Sequence, residues 1–211
     1  MIYLIGGSPR CGKTILSKKL AQKLGVQWFA CDALRPVVMA YTPKEEYAEK
    51  FPVVKMYDDN ECDNDVFFEE NSAEEILNAD IIEAKTLWRG IKEFIGHKAV
   101  VEKDIIIEGV QLLPELIDEL RKEKYFKDTR IVYLTKEDEQ KILDGFAKNT
   151  SGFDWLTQNI KDNETLPRAA RMVKVYSEYF NKEAKKYGFE VFNTDYDFEK
   201  NLEKAITCLV Q

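Results

Sequence analysis

Residues 2–14 read Ile-Tyr-Leu-Ile-Gly-Gly-Ser-Pro-Arg-Cys-Gly-Lys-Thr, an apolar run followed by a glycine-bounded loop that ends in a lysine and a threonine. The last eight positions fit the phosphate-binding pattern G-x-x-x-x-G-K-[ST]. They are Gly7, Ser8, Pro9, Arg10, Cys11, Gly12, Lys13 and Thr14. The pattern predicts that residues 7–14 bind the phosphates of ATP.

The flanking residues indicate a strand before this loop and a helix after it. Residues 2–5 are apolar, as in a strand buried within a parallel sheet. Gly25 is typical of a helix C-terminal cap, and apolar residues recur before it at helical spacing: Ile15, Leu16, Leu20 and Leu24. A glycine-rich turn without a ligand is the alternative interpretation.

The residue types in the loop suit nucleotide chemistry. Gly7 and Gly12 let the backbone turn its N–H groups towards a phosphate, and Lys13 is long enough to reach the β- and γ-phosphates. The Thr14 hydroxyl is a predicted Mg²⁺ ligand, and Arg10 is expected to be exposed. We therefore predict ATP and Mg²⁺ as cofactors, with Lys13 as a catalytic residue.

Composition predicts one globular domain over residues 1–211. Hydrophobic residues make up 45% of the chain and charged residues 33%, which excludes a disordered chain. The formal net charge is −7, and proteins that bind nucleic acid usually present a basic surface. We therefore expect no nucleic-acid partner, and we infer no obligate protein partner.

The sequence predicts a cytoplasmic protein that does not enter a membrane. No apolar run reaches the roughly 18 residues of a membrane span, and the first residues lack a secretion signal. The cysteines contain no C-x-x-C pair, which argues against a disulfide framework and a zinc site. The single histidine, His97, follows Gly96 and is predicted to lie at a helix end rather than in a catalytic site.

Four more apolar segments are predicted to be strands, at residues 26–30, 105–107, 130–134 and 189–192. Their apolar residues are continuous rather than alternating, so each strand is expected to be buried on both faces. With helices between them, they predict an α/β fold of the P-loop NTPase type. Its five-stranded parallel sheet would have helices on both faces.

Two connections are long enough to form further structure. Residues 36–101 are interpreted as a helical insertion that forms a cap, with short helices over 42–71. A further helix is predicted to begin at Ser72, with a capping box to Glu75, and to end near Gly96. Its predicted apolar face carries Ile76, Ile82, Leu87, Ile91 and Ile95. Residues 136–187 are interpreted as a lid region and a long helix. Within them we predict a helix over 137–148, a polar loop over 149–165 and the long helix from about Leu166. A last helix is predicted after Asp197.

Asp32 and Arg35 follow the second predicted strand. The carboxyl ends of parallel strands line the ligand crevice, so both residues are candidates for the active site. Asp32 is a candidate active-site carboxylate beside the triphosphate, or alternatively the N-cap of the next helix. Arg35 is a candidate acceptor-binding residue because arginine binds phosphate and carboxylate in a bidentate way, or alternatively a solvated charge.

Polar residues also follow the third strand and begin the long helix. Glu108 is a candidate Mg²⁺ ligand with Thr14, and Gln111 a candidate acceptor-binding residue. Arg168 and Arg171 share one helix face and are candidate catalytic arginines that stabilise a transferring phosphoryl group. Alternatively, Glu108 is an acid that bonds to the backbone, and Gln111 is an ordinary loop residue. The alternative for Arg168 and Arg171 is a solvated helix face.

These residues together resemble the small P-loop kinases of the adenylate-kinase-like group. Asp32 and Arg35 are spaced as the D-x-x-R of 2-phosphoglycerate kinases, zeta-toxin-like kinases and polynucleotide 5′-kinases, where the aspartate acts as base for a hydroxyl. Arg35 also resembles the acceptor arginine of nucleoside monophosphate kinases. Residues 105–114, Ile-Ile-Ile-Glu-Gly-Val-Gln-Leu-Leu-Pro, are closer to the 2-phosphoglycerate kinase group than to the D-G-F-P-R of adenylate kinases.

The resemblance implies transfer of the ATP γ-phosphoryl group to a hydroxyl of a small molecule or conjugated metabolite. It also implies that the helical insertion, residues 36–101, binds the acceptor and that a lid follows the fourth strand. Three alternatives remain at this point. They are a nucleoside monophosphate kinase, a nucleotide-dependent regulatory NTPase and a polynucleotide 5′-kinase.

Overall fold

The computed structural model describes residues 1–101, 104–148, 155–157 and 160–211. These residues contain five strands, which are β1 (Ile2–Gly7), β2 (Gln27–Ala30), β3 (Ile105–Glu108), β4 (Thr129–Thr135) and β5 (Glu190–Asn193). All neighbouring strands pair in parallel, in the order β2-β3-β1-β4-β5. The predicted α/β fold with a five-stranded parallel sheet is confirmed.

The same part of the chain contains ten α-helices. They are α1 (Lys13–Leu24), α2 (Leu34–Ala40), α3 (Tyr47–Lys50), α4 (Pro52–Asp59), α5 (Asn64–Glu70), α6 (Ala73–Val101), α7 (Pro114–Asp118), α8 (Glu139–Ala147), α9 (Thr165–Lys186) and α10 (Phe198–Val210). Among these helices, none is long and apolar enough to cross a membrane.

Both faces of the sheet are covered, which explains the continuous apolar character of β1. Ile2 and Leu4 belong to a core formed with α6, α7 and α9. Tyr3 and Ile5 belong to the opposite core, formed with α1 and α10. Because β1 lies between β3 and β4, all of its residues are buried. A central strand of this kind has no polar face to show in its sequence.

Helix α6 begins as predicted but ends later. The Ser72 hydroxyl accepts the Glu75 N–H at 3.2 Å, and the Glu75 carboxylate accepts the Ser72 N–H at 2.9 Å, which is the predicted capping box. The predicted end near Gly96 is wrong, because Gly96 keeps a helical backbone and the helix continues to Val101. His97 is consequently an exposed residue within α6, so its predicted place at a helix end is also wrong. A glycine costs a helix only about 1 kcal/mol relative to alanine, so Gly96 alone does not end α6.

Two predicted core positions are wrong. Ile15 and Ile82 are each 46% exposed. Polar residues occupy the inward positions nearby, Ser17 in α1 and Glu83 in α6, and both are buried. Apolar periodicity alone predicts the wrong buried face of a helix where a polar residue occupies a buried position.

The region after β4 agrees with the predicted helices. Helix α8 lies within the predicted range 137–148, and α9 starts one residue before Leu166. Tyr176 and Phe180 of α9 are buried in the core. Of the predicted loop over 149–165, residues 149–154 and 158–159 lie outside the described residues.

Candidate active site

The loop of residues 7–14 joins β1 to α1, and its two bounding glycines are required by their surroundings. Gly7 has a φ of 130° and Gly12 a φ of 100°, values that favour glycine. A Cβ atom on Gly7 would lie 2.0 Å from the Leu134 carbonyl oxygen of β4. A Cβ atom on Gly12 would lie 2.9 Å from the Phe198 ring of α10. The loop therefore packs directly against the sheet and the last helix.

Lys13 is folded back over this loop. Its side chain is only 8% exposed, and Nζ donates to the Ser8 carbonyl oxygen at 2.6 Å. The Cys11 thiol donates to the same oxygen at 2.8 Å, while the Ser8 N–H donates to Leu134 of β4 at 3.2 Å. Ser8 is thus bonded to the sheet through its N–H group, and its carbonyl oxygen accepts the hydrogen bond from Lys13.

Pro9 and Arg10 form the outer part of the loop. Both are partly buried, and Arg10 adopts a left-handed backbone with a φ of 61°. The Arg10 guanidinium lies 5.2 Å from the centre of the Phe146 ring in α8, a distance that suits a cation–π contact. The expectation that Arg10 is exposed is therefore wrong, because α8 covers its side chain.

Thr14 and Glu108 lie together at the carboxyl edge of the sheet. The Thr14 hydroxyl donates to Glu108 Oε1 at 2.9 Å, and Glu108 is 5% exposed. Burial raises the pKa of Glu108, while Lys13 and the bond from Thr14 oppose this rise. A hydroxyl and a carboxylate are oxygen donors of the kind that Mg²⁺ prefers, so this pair fits the predicted metal.

Asp32 and Gln111 form a second pair at the same edge. Asp32 lies in a 3-10 turn, Cys31–Ala33, directly after β2. Gln111 is 2% exposed, and its Nε2 donates to Asp32 Oδ1 at 2.7 Å. The N-cap of α2 is Ala33, so the alternative interpretation of Asp32 as a helix cap is wrong. Because the 3-10 turn lies between β2 and α2, Asp32 precedes the cap position. Its carboxylate accepts from Gln111 instead of capping α2.

Arg35 is held by two acids of α6. Its Nε lies 3.0 Å from Glu83 Oε2, and its Nη2 lies 3.5 Å from Asp80 Oδ1. Burial lowers the pKa of Arg35, but Glu83, Asp80 and Asp32 together raise it above its ordinary value. The interpretation of Arg35 as a solvated charge is therefore wrong.

Asp80 and Glu83 are site residues that the sequence analysis missed. Glu83 is 1% exposed, and its Oε1 accepts the N–H groups of Val53 at 2.8 Å and Val54 at 3.1 Å, at the start of α4. A signal was present in the sequence, since Glu83 lies seven residues after Ile76 and four before Leu87, on the apolar face of the helix. An acid at such a position needs a buried partner.

Arg168 and Arg171 line an open cavity of about 600 Å³ between α5, α6 and α9. Arg168 Nη1 lies 3.7 Å from an oxygen of Asp162. Arg171 lies 3.7 Å from Glu74 and 3.5 Å from Glu139. These long ion pairs are those of partly exposed side chains and contribute little to stability. The catalytic role of both arginines stays a prediction.

No family model matches the chain. A curated relative, the mevalonate-3-phosphate 5-kinase of Thermoplasma acidophilum, is 27% identical over 122 residues, which cover 56% of this chain. The matched part is 55% of the relative, so the chain spans about half the length of that protein.

Solved structures show the fold of the whole chain. A sugar kinase from Janibacter sp. HTCC2649 has a TM-score of 0.57 at 15% identity, with 99% of this chain and 94% of that chain covered. The chain has a P-loop kinase fold. Shikimate kinase from Acinetobacter baumannii, solved with shikimate, has a TM-score of 0.53 at 13% identity, with 99% and 91% of the two chains covered. At such low identities the likeness concerns the fold alone.

Proposed function

We propose that the chain is an ATP- and Mg²⁺-dependent phosphotransferase that moves the γ-phosphoryl group to a hydroxyl of a small molecule. The observation that carries this proposal is the position of Asp32. Ala30, two residues earlier, pairs with Glu108 across β2 and β3, so Asp32 lies next to the predicted metal pair. A carboxylate beside the phosphate loop is suited to accept the proton of an attacking hydroxyl.

The other residues have separate tasks in this proposal. Lys13 exchanges the Ser8 carbonyl for phosphate oxygens, which are stronger partners for an ammonium group. Thr14 and Glu108 would hold Mg²⁺, which neutralises phosphate charge when bound. Gln111 orients the Asp32 carboxylate. We also propose that residues 36–101 bind the acceptor and that residues 136–187 comprise the lid region and the long helix, with Arg168 and Arg171 stabilising the transferred group.

The name of the Thermoplasma relative supports a small-molecule acceptor, since that protein is named as a kinase of mevalonate 3-phosphate. The finer resemblance to 2-phosphoglycerate kinases and zeta-toxin-like kinases stays a prediction. A phosphate acceptor, as in nucleoside monophosphate kinases, is less favoured because the Arg35 charge is already opposed by Asp80 and Glu83. Such an acceptor would have to displace at least one of these acids.

The test begins with a metabolite library screened for acceptor-dependent ADP release. With an acceptor in hand, Asp32→Asn is compared with the wild type in turnover, ATP affinity and thermal stability. The asparagine can still accept from Gln111 but cannot act as a base, so turnover should fall about a hundredfold to ten-thousandfold while ATP affinity is kept. Asp128→Asn, an exposed aspartate just before β4 at the opposite edge, is the matched control.

Near-normal turnover in a folded Asp32→Asn protein would exclude the general-base role. A strong loss in Arg35→Ala together with that result would favour a phosphate acceptor, which needs no base. Slow ATP hydrolysis with no response to any acceptor would favour a regulatory NTPase. A steep fall of binding with salt would favour a polynucleotide 5′-kinase.

A further inference from the structure

Two consecutive residues of α9, Tyr176 and Ser177, contact different parts of the candidate site. Tyr176 is 2% exposed and Ser177 is fully buried. Neighbouring side chains on a helix point about 100° apart, so they reach different partners while moving with one backbone. The structure gives both hydroxyl groups a defined partner on the site.

Ser177 holds the phosphate loop. Its hydroxyl donates to the Ser8 hydroxyl at 2.7 Å and accepts the Lys136 N–H, just after β4, at 2.9 Å. Ser8 is also the residue whose carbonyl accepts from Lys13. A change in the partner of Lys13 therefore acts on a residue that is directly bonded to α9.

Tyr176 holds the acceptor side. Its hydroxyl donates to the Asp80 carboxylate and lies 3.3 Å from the Ile76 carbonyl oxygen of α6. The other oxygen of Asp80 faces Arg35. Burial raises the pKa of Tyr176 well above its ordinary value, so the hydroxyl remains a donor at neutral pH.

We propose that Tyr176 and Ser177 are positioning residues that couple the phosphate loop to the Asp80 and Arg35 pair on the acceptor side. This inference rests on the proposed function, since it assumes a nucleotide in the loop. Nucleotide binding would draw Lys13 away from the Ser8 carbonyl oxygen. Ser177 would transmit this change to α9, and Tyr176 would fix Asp80 and hence Arg35. The acceptor side is then arranged only when the nucleotide is in place.

The experiment measures hydrogen exchange in residues 76–83 of α6, without and with Mg²⁺ and the β,γ-imido analogue of ATP. In the wild type, the analogue should slow exchange in this segment. Tyr176→Phe should bind the analogue as well as the wild type but lose the slowing. Ser177→Ala should bind the analogue about threefold to tenfold more weakly, as expected for one lost hydrogen bond, and also lose the slowing at saturation.

Matched controls remove the same groups elsewhere. Tyr179→Phe removes a hydroxyl of α9 that donates to Glu115 of α7 at 2.9 Å. Ser17→Ala removes a buried hydroxyl of α1 that has no hydrogen-bond partner among the described residues. Both should keep the analogue affinity and the slowing. If Ser177→Ala fails to fold, Ser8→Ala breaks the same bond from the loop side and should give the same result.

Several results would overturn the inference. Analogue binding to the wild type without slower exchange at 76–83 would exclude the coupling and leave the proposed function intact. Slowing that persists in Tyr176→Phe, or in both serine variants, would exclude these residues as the connection. A wild type that does not bind the analogue would reject the coupling and the proposed function together.

Discussion

Glu83 connects three helices through one carboxylate. It belongs to α6, accepts two N–H groups at the start of α4 and faces Arg35 of α2. Because the carboxylate is withdrawn from water, burial raises its pKa from the ordinary 4.5 to about 7, against the opposing effect of Arg35. The folded protein therefore holds this proton more tightly than the unfolded chain does.

This difference predicts a pH dependence of stability. Between about pH 4.5 and 7 the folded state binds more protons at Glu83 than the unfolded state, so the Glu83 contribution to the free energy of unfolding falls as the pH rises. In Glu83→Gln that decline should be absent. Chemical denaturation of both proteins at several pH values measures this decline.

Glu93→Gln is the control, because Glu93 is exposed on the same helix. It should keep the pH dependence of the wild type. If the Glu83→Gln curve ran parallel to the wild-type curve over this range, the carboxyl group would have an ordinary pKa in the folded protein.

At the scale of single residues, the sequence predicted the residues that belong to a local motif but not the contacts between distant residues. Lys13 and Thr14 are recognisable because the backbone geometry of their loop depends on a few neighbouring residues. The partner of Gln111 could not be predicted, because its bond to Asp32 spans two separate strands and depends on the sheet order. Asp80 was missed because its partners, Arg35 and Tyr176, lie far from it in the sequence.

Helix α5 also joins the two long connections, in addition to α6. Its Asp65 accepts the N–H groups of Lys161 at 2.8 Å and Asp162 at 3.2 Å, and the Thr165 hydroxyl at 2.5 Å. These bonds, the one from Thr165 first, lower the pKa of Asp65. The start of α9 is thus tied to a helix that precedes it by a long stretch of chain.

Asp65→Ala should remove the hydrogen bonds that hold the start of α9 to α5. We expect amide exchange at Lys161 and Asp162 to become faster, because their N–H groups lose their acceptor. The exchange of α6 should change little. Asp59→Ala, which removes a surface ion pair with Lys55 in α4, is the control and should leave Lys161 and Asp162 unchanged. Unchanged exchange in Asp65→Ala would mean that other contacts hold the segment.

The elements differed in how well the sequence predicted them. Helix α9 has a buried stripe throughout its length and was predicted nearly to the residue. The short helices α3 to α5 could be predicted only as a group, over residues 42–71. Each has few residues, and their positions depend on long-range bonds such as those of Glu83 and Asp65.

At the scale of the whole molecule, the strand order brings the candidate site together. Lys13 and Thr14 follow β1, Asp32 follows β2, and Glu108 and Gln111 lie at the end of β3. Because these three strands are neighbours, their carboxyl ends form one continuous edge. The sequence predicted the five strands and this edge, but the neighbouring order could only be observed in the structure.

A nucleotide bound to this edge should stabilise the entire fold. Mg-ATP at a hundred times its dissociation constant is expected to add about 2.7 kcal/mol, measured as a rise in Tm. Lys13→Ala should lose most of that rise, since the lysine supplies a charge to the phosphates. Lys23→Ala, an exposed lysine in the last turn of α1, should keep it. Equal rises in Lys13→Ala and wild type would place the nucleotide elsewhere.

The contact of Gly12 with Phe198 has a consequence for the order of events during synthesis. The loop emerges from the ribosome early, whereas the helix that closes against it emerges late. The strand before the loop, β1, also cannot pair on both sides until its neighbours, β3 and β4, have been synthesised. ATP in the cell can therefore favour folding only after α10 has been synthesised, and the nascent chain must reach that point without help from its ligand.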